Sequence, residues 1–562
     1  MSLRNLLLRT ITRKNKFINF ASIATRNEHP QGDKNKYESK KGYGRVVTGA
    51  VLGSVLVGSA VAGKLENLKE GRDQVRNKGL NKDITDDLIV EAGGKRPDLP
   101  TYRAEEVSQH DNIKSFWVTY KHGVYDITKF LPSHPGGEQI LNAAGLSIEP
   151  FWNVYGMHKT PEVYALLESY RVGNLHDDDV VDHSDEEMWV REPLRDRRLV
   201  VKTARPFNAE IPPKLQIQHL DTPNELFYVR QHMPVPELDP ATHRVKVSVG
   251  GHDPRTFSLQ QLDQFPRVTL RAALMCAGNR RSEMNKQVKP VKGLDWAGGA
   301  ISNATWTGLR LRDVLLQCGV DPTDTKGKHV ILQGADIDAT GVNFSTSIPL
   351  ATALSEERTV LLVTHMNGAP LPPDHGAPLR AVVPGAPAVR SVKWLESITV
   401  SELESPSHWH QKDYRAFNPS KTWETADFST APPVYSLPVT SAICDPGDGE
   451  QVKVKNGHVE VKGYAYSGGG AKIMRVDISA DRGATWVEAQ HLISDDAPPN
   501  THYGWTLWTA RVPVGKGQSE LELWAKATDS NFNTQPEKFD DIWNIRGILS
   551  NAYHKIKIKL QH

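Results

Sequence analysis

The chain has 562 residues, of which 38% are hydrophobic and 24% charged, with a formal net charge of +2. This length exceeds what one hydrophobic core holds, so about three globular domains are expected, and a balance so near neutral argues against nucleic acid as a partner. Its three cysteines, Cys276, Cys318 and Cys444, are too widely spaced for a disulfide framework or a zinc site.

The first 27 residues are basic and free of acid. Arg4, Arg9, Arg13, Lys14, Lys16 and Arg26 precede the first acid, Glu28, and Leu6, Leu7, Leu8, Ile11, Phe17 and Ile18 are interleaved with them. This Arg-bearing amphipathic pattern predicts a mitochondrial presequence over residues 1–27. Residues 44–65 hold the uncharged run Val46–Gly63, whose 18 residues sit at the short limit for a membrane span. Behind a presequence, it reads as a sorting signal that delivers the downstream domains to the intermembrane space. A retained anchor, self-associating through Gly49 and Gly53, is the other reading. The polar stretch from Lys64 to Pro100 reads as a linker.

A unit over residues 98–176 carries the first chemistry. In "DITKFLPSHPGGEQIL", Pro135 follows His134, and Gly136 and Gly137 permit a sharp turn before a helix restarts at Glu138. His158 lies 24 residues after His134, beyond "GEQILNAAG" and the aromatic "PFWNVY". Two short helices with an apolar lining between them could clamp a flat apolar cofactor. Residues 177–188 are an acidic run with no core pattern, read as a solvated hinge.

Residues 189–428 alternate strand-like runs ("HRVKVSV", "HVILQG", "TVLLVTHM") with short helical ones ("SLQQLDQF", "LRLRDVLLQCG"), which predicts an α+β domain. Pro432 and Pro433 mark a boundary. Residues 430–562 then alternate apolar and polar side chains between Gly-rich turns, the pattern of an immunoglobulin-like β-sandwich. In the central domain, Cys276 stands in "LMCAGNRRSEM" ahead of Arg280 and Arg281. From the residues alone it is a buried packing residue, a nucleophile or a single metal ligand.

Two resemblances sharpen these readings. "VYDITKFLPSHPGGEQIL" with His158 resembles cytochrome b5, which implies that His134 and His158 ligate the iron of haem b. Two histidine ligands leave no open position on the iron, which suits one-electron transfer. "FYVRQHMPVP", "LMCAGNRRSEM", "GLDWAGGAISNATW", "HGAPLRAVVPG" and "RSVKWL" resemble the sulfite oxidase family of molybdenum enzymes, and the order of modules is that of its animal mitochondrial members. The implied fold class is multidomain α+β: a b5-like haem domain, a molybdenum cofactor domain, and an immunoglobulin-like domain through which a homodimer forms.

The family's site residues carry over by motif. Cys276 would ligate molybdenum, a soft thiolate beside the sulfurs of molybdopterin. Phe227, Tyr228, Val229, Arg230, Gln231, Asp336, His375, Arg380, Ser391, Val392 and Lys393 would hold the pterin. Arg230, Arg281 and Arg546 would bind the anionic substrate, guanidinium suiting oxyanions, with Tyr414 and Trp296 beside them. Where the family has a glycine in "VPGxxGxR", this chain has Ala388.

The implied activity is oxidation of sulfite to sulfate, with electrons leaving through haem to cytochrome c. From Arg103 to Glu187 there are 15 acids against six bases, the charge an electron-transfer module needs to steer a basic partner. The alternatives are a nitrate reductase-like molybdoenzyme, which shares the Cys-Ala-Gly-Asn-Arg-Arg motif but places its haem module later, and a haem electron-transfer protein without molybdenum catalysis.

Overall fold

A computed structural model describes residues 92–134, 137–154, 158–181, 189, 191–338 and 341–562. The expected presequence at 1–27, the hydrophobic segment at 44–65 and most of the expected hinge, 182–188, lie outside the described residues. Among the described residues, no helix is long and apolar enough to cross a membrane.

The first sheet runs in the order Thr101–Tyr102, Arg171–Leu175, Gly123–Asp126, Ser115–Tyr120, Asp111–Asn112. Its inner residues Phe116, Val118 and Tyr125 pack against Trp152 and Leu167 from the helices Glu149–Val154 and Pro161–Glu168. Thr160 caps the latter, its hydroxyl accepting from the Val163 N–H, and Pro161 takes the first helical position. The chain restarts as a helix after His134, as expected, in the tight 3-10 form over Gly137–Ala143.

The start of the acidic run is exposed at Asp177 and Asp178, as expected, but it is anchored rather than a free hinge. Asp177–Asp179 form a 3-10 turn capped by His176. Asp177 pairs with Lys95 at 2.7 Å, Asp179 with Arg103 at 3.0 Å, and the Ala104 N–H donates to Asp179 at 2.9 Å. These acids therefore fold back onto the haem module, because cations far away in sequence receive them.

The central region has two five-stranded sheets and a small third one. One runs Arg255–Ser258, Arg244–Ser248, Leu395–Ser401, His329–Ile337, Asn343–Pro349. The next runs Arg267–Met275, Ile301–Arg310, Leu361–Met366, Ala369–Pro370, with Arg380–Val382 also pairing Leu361–Met366. The third joins Val200–Thr203, Asn208–Glu210 and Val229–Arg230. The strand runs read from the sequence all appear. So do the two helices, Leu259–Leu262, closed by a Ser258–Gln261 capping box, and Leu311–Gln317.

The C-terminal region is a sandwich. A four-stranded sheet (Thr440–Asp445, His458–Tyr466, Thr506–Pro513, His491–Ile493) faces a five-stranded one (Gln451–Lys453, His554–Gln561, Glu520–Asp529, Ile473–Ser479, Val487–Glu488). Val459, Val461 and Ala510 from the first meet Val476, Ile478, Leu523 and Ile556 from the second in one core. Burial alternates over parts of His458–Tyr466, Thr506–Pro513 and His554–Gln561, which matches the alternation in the sequence there.

The sandwich is fastened to the Cys276 loop. The Leu549 N–H donates to Ala277 O at 2.7 Å, and Arg280 Nη1 donates to Ala552 O at 2.7 Å and Ser441 O at 3.1 Å. Residues at the far end of the chain can therefore reach the central site.

Candidate functional site

The first site is the histidine pair. His134 closes the 3-10 helix Thr128–Ser133, and His158 stands one short step before the Thr160 cap. Their ring planes are nearly parallel, 8° apart, with centres 6.2 Å apart. An imidazole nitrogen lies about 1 Å from its ring centre and binds a first-row metal at about 2 Å. An iron midway between two rings that meet through their nitrogen edges therefore needs about 6 Å between ring centres, which the observed spacing supplies. Trp152 stacks 5.6 Å from His158, and Phe130 meets His134 edge-on at 5.8 Å, an apolar wall suited to a porphyrin. The pair fits a bis-histidine haem.

The second site is a cleft in the central region, lined among others by Phe227, Tyr228, Arg230, Gln231, Cys276, Asp336, His375, Arg380, Ser391, Val392, Lys393 and Tyr414. Cys276 ends the strand Arg267–Met275. Its N–H donates to Ala300 O at 2.9 Å, and its carbonyl accepts from Asn279 at 3.0 Å, which closes a turn under the thiol. Arg280 then takes a left-handed conformation, φ 64°. That turn separates two adjacent arginines. Arg280 points into the protein and forms a bidentate pair with Glu283 at 2.6 Å. Arg281 is held by Leu294 O at 2.6 Å and Gly547 O at 2.9 Å.

Burial lowers the Arg281 pKa, and the nearby Arg546 and Arg230 lower it further, while Cys276 and Tyr414 act in the opposite sense. These groups thus share one electrostatic neighbourhood. Tyr414 is pushed up to about 12 by burial, so its hydroxyl keeps its proton. Arg546 is aimed by Asp413, the residue before Tyr414, at 2.6 Å.

The inner wall of the cleft is built to receive polar atoms. Asp336 is buried, its Oδ1 has no hydrogen-bond partner among the described residues, and burial raises its pKa to about 7. Lys393 Nζ donates to Arg230 O at 3.1 Å, to Asp374 O at 2.9 Å and to Gln231 Oε1. Arg380 donates to His375 O and Ser391 O, both at 2.9 Å. Burial lowers its pKa to about 10, which leaves it charged. An orphaned acceptor, buried cations and a thiol together fit a pterin with ring donors, an anionic tail and a metal.

Four expected residues lie off this lining: Arg281 and Arg546, which stand beside it in the electrostatic neighbourhood of Cys276 and Tyr414, and Val229 and Trp296. Val229 packs on the opposite side with Leu199, Ala209 and Leu226, because alternation along its short strand turns it away. Trp296 is fully buried behind Tyr228, edge-on at 6.5 Å, and supports the wall instead of lining it. Ala388 opens the 3-10 turn Ala388–Arg390 without a positive φ, so no glycine is needed there. Sequence reasoning passes over His232, which lines the cleft with Nε2 unpartnered among the described residues and stacks on Phe344 at 5.0 Å. It also misses Asp374, which holds Gln231 and is gripped by Arg195 at 2.8 and 2.9 Å. His232 adjoins Gln231 in the "FYVRQHMPVP" motif; Asp374 has no signal apart from its neighbour His375.

Three family descriptions match the chain: the cytochrome b5-like haem/steroid binding domain over residues 103–176, the oxidoreductase molybdopterin binding domain over 232–409, and the Mo-co oxidoreductase dimerisation domain over 431–561. A mitochondrial sulfite oxidase of Drosophila melanogaster is 51% identical over 474 residues, which cover 83% of this chain and 82% of that protein. The chain belongs to the sulfite oxidase family. The mitochondrial sulfite oxidase of Homo sapiens is 46% identical over 462 residues, 81% of this chain and 84% of its own. Among solved structures, the sulfane dehydrogenase SoxCD from Paracoccus pantotrophus shares the fold at 22% identity. Its TM-score is 0.53, and the match covers 68% of this chain and 90% of that one.

Proposed function

We infer that this protein oxidises sulfite to sulfate in the mitochondrion and passes the electrons through its haem domain. The observation that carries the reading is the convergence of one thiol, Cys276, with Arg230, Arg281, Arg546 and Tyr414 beside a cleft that fits a pterin. When bound, the molybdenum–pterin group supplies two-electron redox chemistry with oxygen transfer, and haem b supplies one-electron relay.

The protein's own part is binding and orientation. Cys276 holds the metal, with Asp336, His375, Arg380 and Lys393 around the pterin. Sulfite and sulfate carry close to two negative charges. Three guanidiniums gathered in a mostly buried site are costly without an anion, so the site favours oxyanions over neutral molecules. Tyr414, protonated at neutral pH, donates a hydrogen bond from Oη to an anion oxygen. Asp413 fixes Arg546 against the same pocket. The wall made by Tyr228 and Trp296 keeps bulk water from behind the thiol.

We place the protein in the intermembrane space, with cytochrome c as acceptor. The acid excess of the haem module supports this: Asp177 and Asp178 remain 60% and 75% exposed at the side chain even while paired. The remainder of the acidic run, 182–188, would tether the haem domain between donor and acceptor. The sandwich, which matches a dimerisation domain, would join two copies.

Steady-state turnover of the purified protein with sulfite and with nitrate is the direct test. Sulfite oxidation with about one molybdenum per chain is expected; nitrate reduction without it would overturn the reading. Reduction of cytochrome c should fall steeply with ionic strength while turnover with a small neutral acceptor does not.

A further inference from the structure

Behind Tyr414 lies a group of charged side chains that none of the steps above uses. Arg390 and His410 are fully buried, Arg415 is 4% exposed, and the Glu404 side chain is 23% exposed. Arg390 Nη1 meets His410 Nδ1 at 2.6 Å and also donates to Thr346 Oγ1. The Ser347 N–H donates to the same Nδ1 at 3.2 Å. With two donors aimed at it, Nδ1 is the acceptor, which puts the ring proton on Nε2, facing Glu404 Oε2 at 3.3 Å. Burial, and then Arg390, push the His410 pKa down to about 3, consistent with a neutral ring. Glu404 also accepts from Arg415 Nη2 at 2.6 Å and from Tyr435 Oη at 3.2 Å.

What this group brackets is specific. His410 sits on the wide-turned π-helix Trp409–Asp413, whose C-cap is Tyr414 itself, and Arg415 is the next residue. Glu404 thus holds the chain four residues before the tyrosine and one residue after it. The tyrosine's carbonyl accepts from the Val434 N–H at 3.0 Å, and Val434 O accepts from Arg390 Nε at 3.1 Å. This closes a ring from Arg390 through His410, along the π-helix to Tyr414, and back through Val434. Arg390 itself lies between Val389 and Ser391, both of which line the cofactor cleft. A π-turn is an uncommon backbone state, frequent at functional sites. Arg390 Nη2 and Arg415 Nε have no partner among the described residues, but the bonds that are made tie both sides of the π-turn to fixed groups and narrow the positions it can take.

We propose that Arg390, His410, Glu404 and Arg415 form a positioning device for the known reaction, clamping the π-turn so that the Tyr414 hydroxyl is presented to the sulfite oxyanion in register with the cofactor wall. The proposal rests on the reading of Tyr414 as an anion contact. The four residues touch neither substrate nor cofactor and act only through Tyr414.

The test is a double-mutant cycle in the full-length holoenzyme, normalised to bound molybdenum, with Arg390→Met, Tyr414→Phe and the double variant. The readouts are kcat/KM for sulfite with a small acceptor, the equilibrium dissociation constant for sulfate, and the melting temperature. Arg390→Met alone should lower kcat/KM by about tenfold or more and weaken sulfate binding. In the Tyr414→Phe background the same change should cost less than about twofold in both, while the fall in melting temperature stays the same. Where Arg390→Met does not accumulate as folded protein, His410→Gln, of similar reach, takes its place in the cycle. Losses that multiply across the cycle would overturn the positioning role and leave a stability role only. A Tyr414→Phe variant with unchanged kcat/KM and sulfate binding would remove the anion-contact reading itself, and the proposal with it.

Discussion

Glycine at position 278 is a test of how tightly Arg281 is placed. A Cβ there would lie 2.4 Å from Arg281 Nη2, 2.5 Å from its Cζ and 2.6 Å from Nη1. The far end of an arginine usually swings away cheaply. This one is trapped: Leu294 O and Gly547 O hold it at 2.6 and 2.9 Å, and a Cβ at Gly293 would also meet its Cζ at 2.7 Å. Gly278→Ala therefore has to displace the guanidinium. Hydrogen bonds involving a charged group contribute about 1.5–3 kcal/mol each. Losing one such bond to the anion corresponds to about a 10- to 150-fold fall in kcat/KM. The fall should appear mainly as a raised KM for sulfite with a small acceptor, with the haem spectrum unchanged. Arg281→Met should show a similar loss, and the combination Gly278→Ala/Arg281→Met no further loss beyond Arg281→Met alone. Multiplying losses, or a lowered melting temperature with KM unaltered, would refute the idea that this glycine exists to seat Arg281.

Replacing His134 or His158 with Ala should abolish the bis-histidine haem spectrum while sulfite oxidation with a small artificial acceptor survives; loss of both would show that the modules are not separable. In Cys276→Ser the harder oxygen donor should nearly abolish turnover with pterin still bound, measured by activity beside pterin content, and full activity would sink the assignment of Cys276 as metal ligand. Asp481 closes the turn before Thr485, accepting from the Thr485 hydroxyl at 2.6 Å and N–H at 2.8 Å, and from the Ser479 hydroxyl at 2.7 Å. The Thr485 bonds, first of all, lower its pKa from the ordinary 3.8 to about 2. A depressed carboxylate contributes stability above its unfolded pKa and loses it as pH falls through the folded one. The melting-temperature difference between wild type and Asp481→Asn should therefore persist at neutral pH and vanish between about pH 4 and pH 2. A difference that does not change over that window would rule out this titration.

What was legible in the sequence divides by range. The strands of the sandwich and the helix Leu311–Gln317 could be read because their pattern of burial repeats within a few residues. The histidine pair could be read because a Pro-Gly-Gly turn and a fixed spacing are local signals, and the nearly parallel rings agree with them. The arginines are harder. Arg280 and Arg281 are neighbours of one chemistry, yet one pairs with Glu283 inside the protein and the other neighbours Cys276 and Tyr414 electrostatically. Only the left-handed turn at 280 separates them, and no residue type announces it. The ion pairs of Asp177–Asp179 are not legible because their partners Lys95 and Arg103 lie far back in the chain, 82 residues before Asp177 in the case of Lys95.

For the same reason the residues that aim the site were invisible while those that form it were not. A metal ligand or an oxyanion contact needs a particular chemistry, so its residue type carries information even in isolation. A positioning residue needs only to be somewhere that bonds converge. Arg390 closes the "VPGxxGxR" motif and opens "RSVKWL", yet the motif does not say what it bonds, and nothing in the types of Glu404 and His410, within 20 residues after it, distinguishes them from surface charges. What marks them is burial together with the convergence of their hydrogen bonds on one turn, and both are properties of the folded chain. A buried ion is destabilising unless its partners are fixed, so fixed partners around Tyr414 point back to a constraint on Tyr414. The Arg390 cycle is therefore the sharper test of how this site works. Changing a ligand asks whether the chemistry needs that atom, and changing Arg390 asks whether it needs the atom in one place.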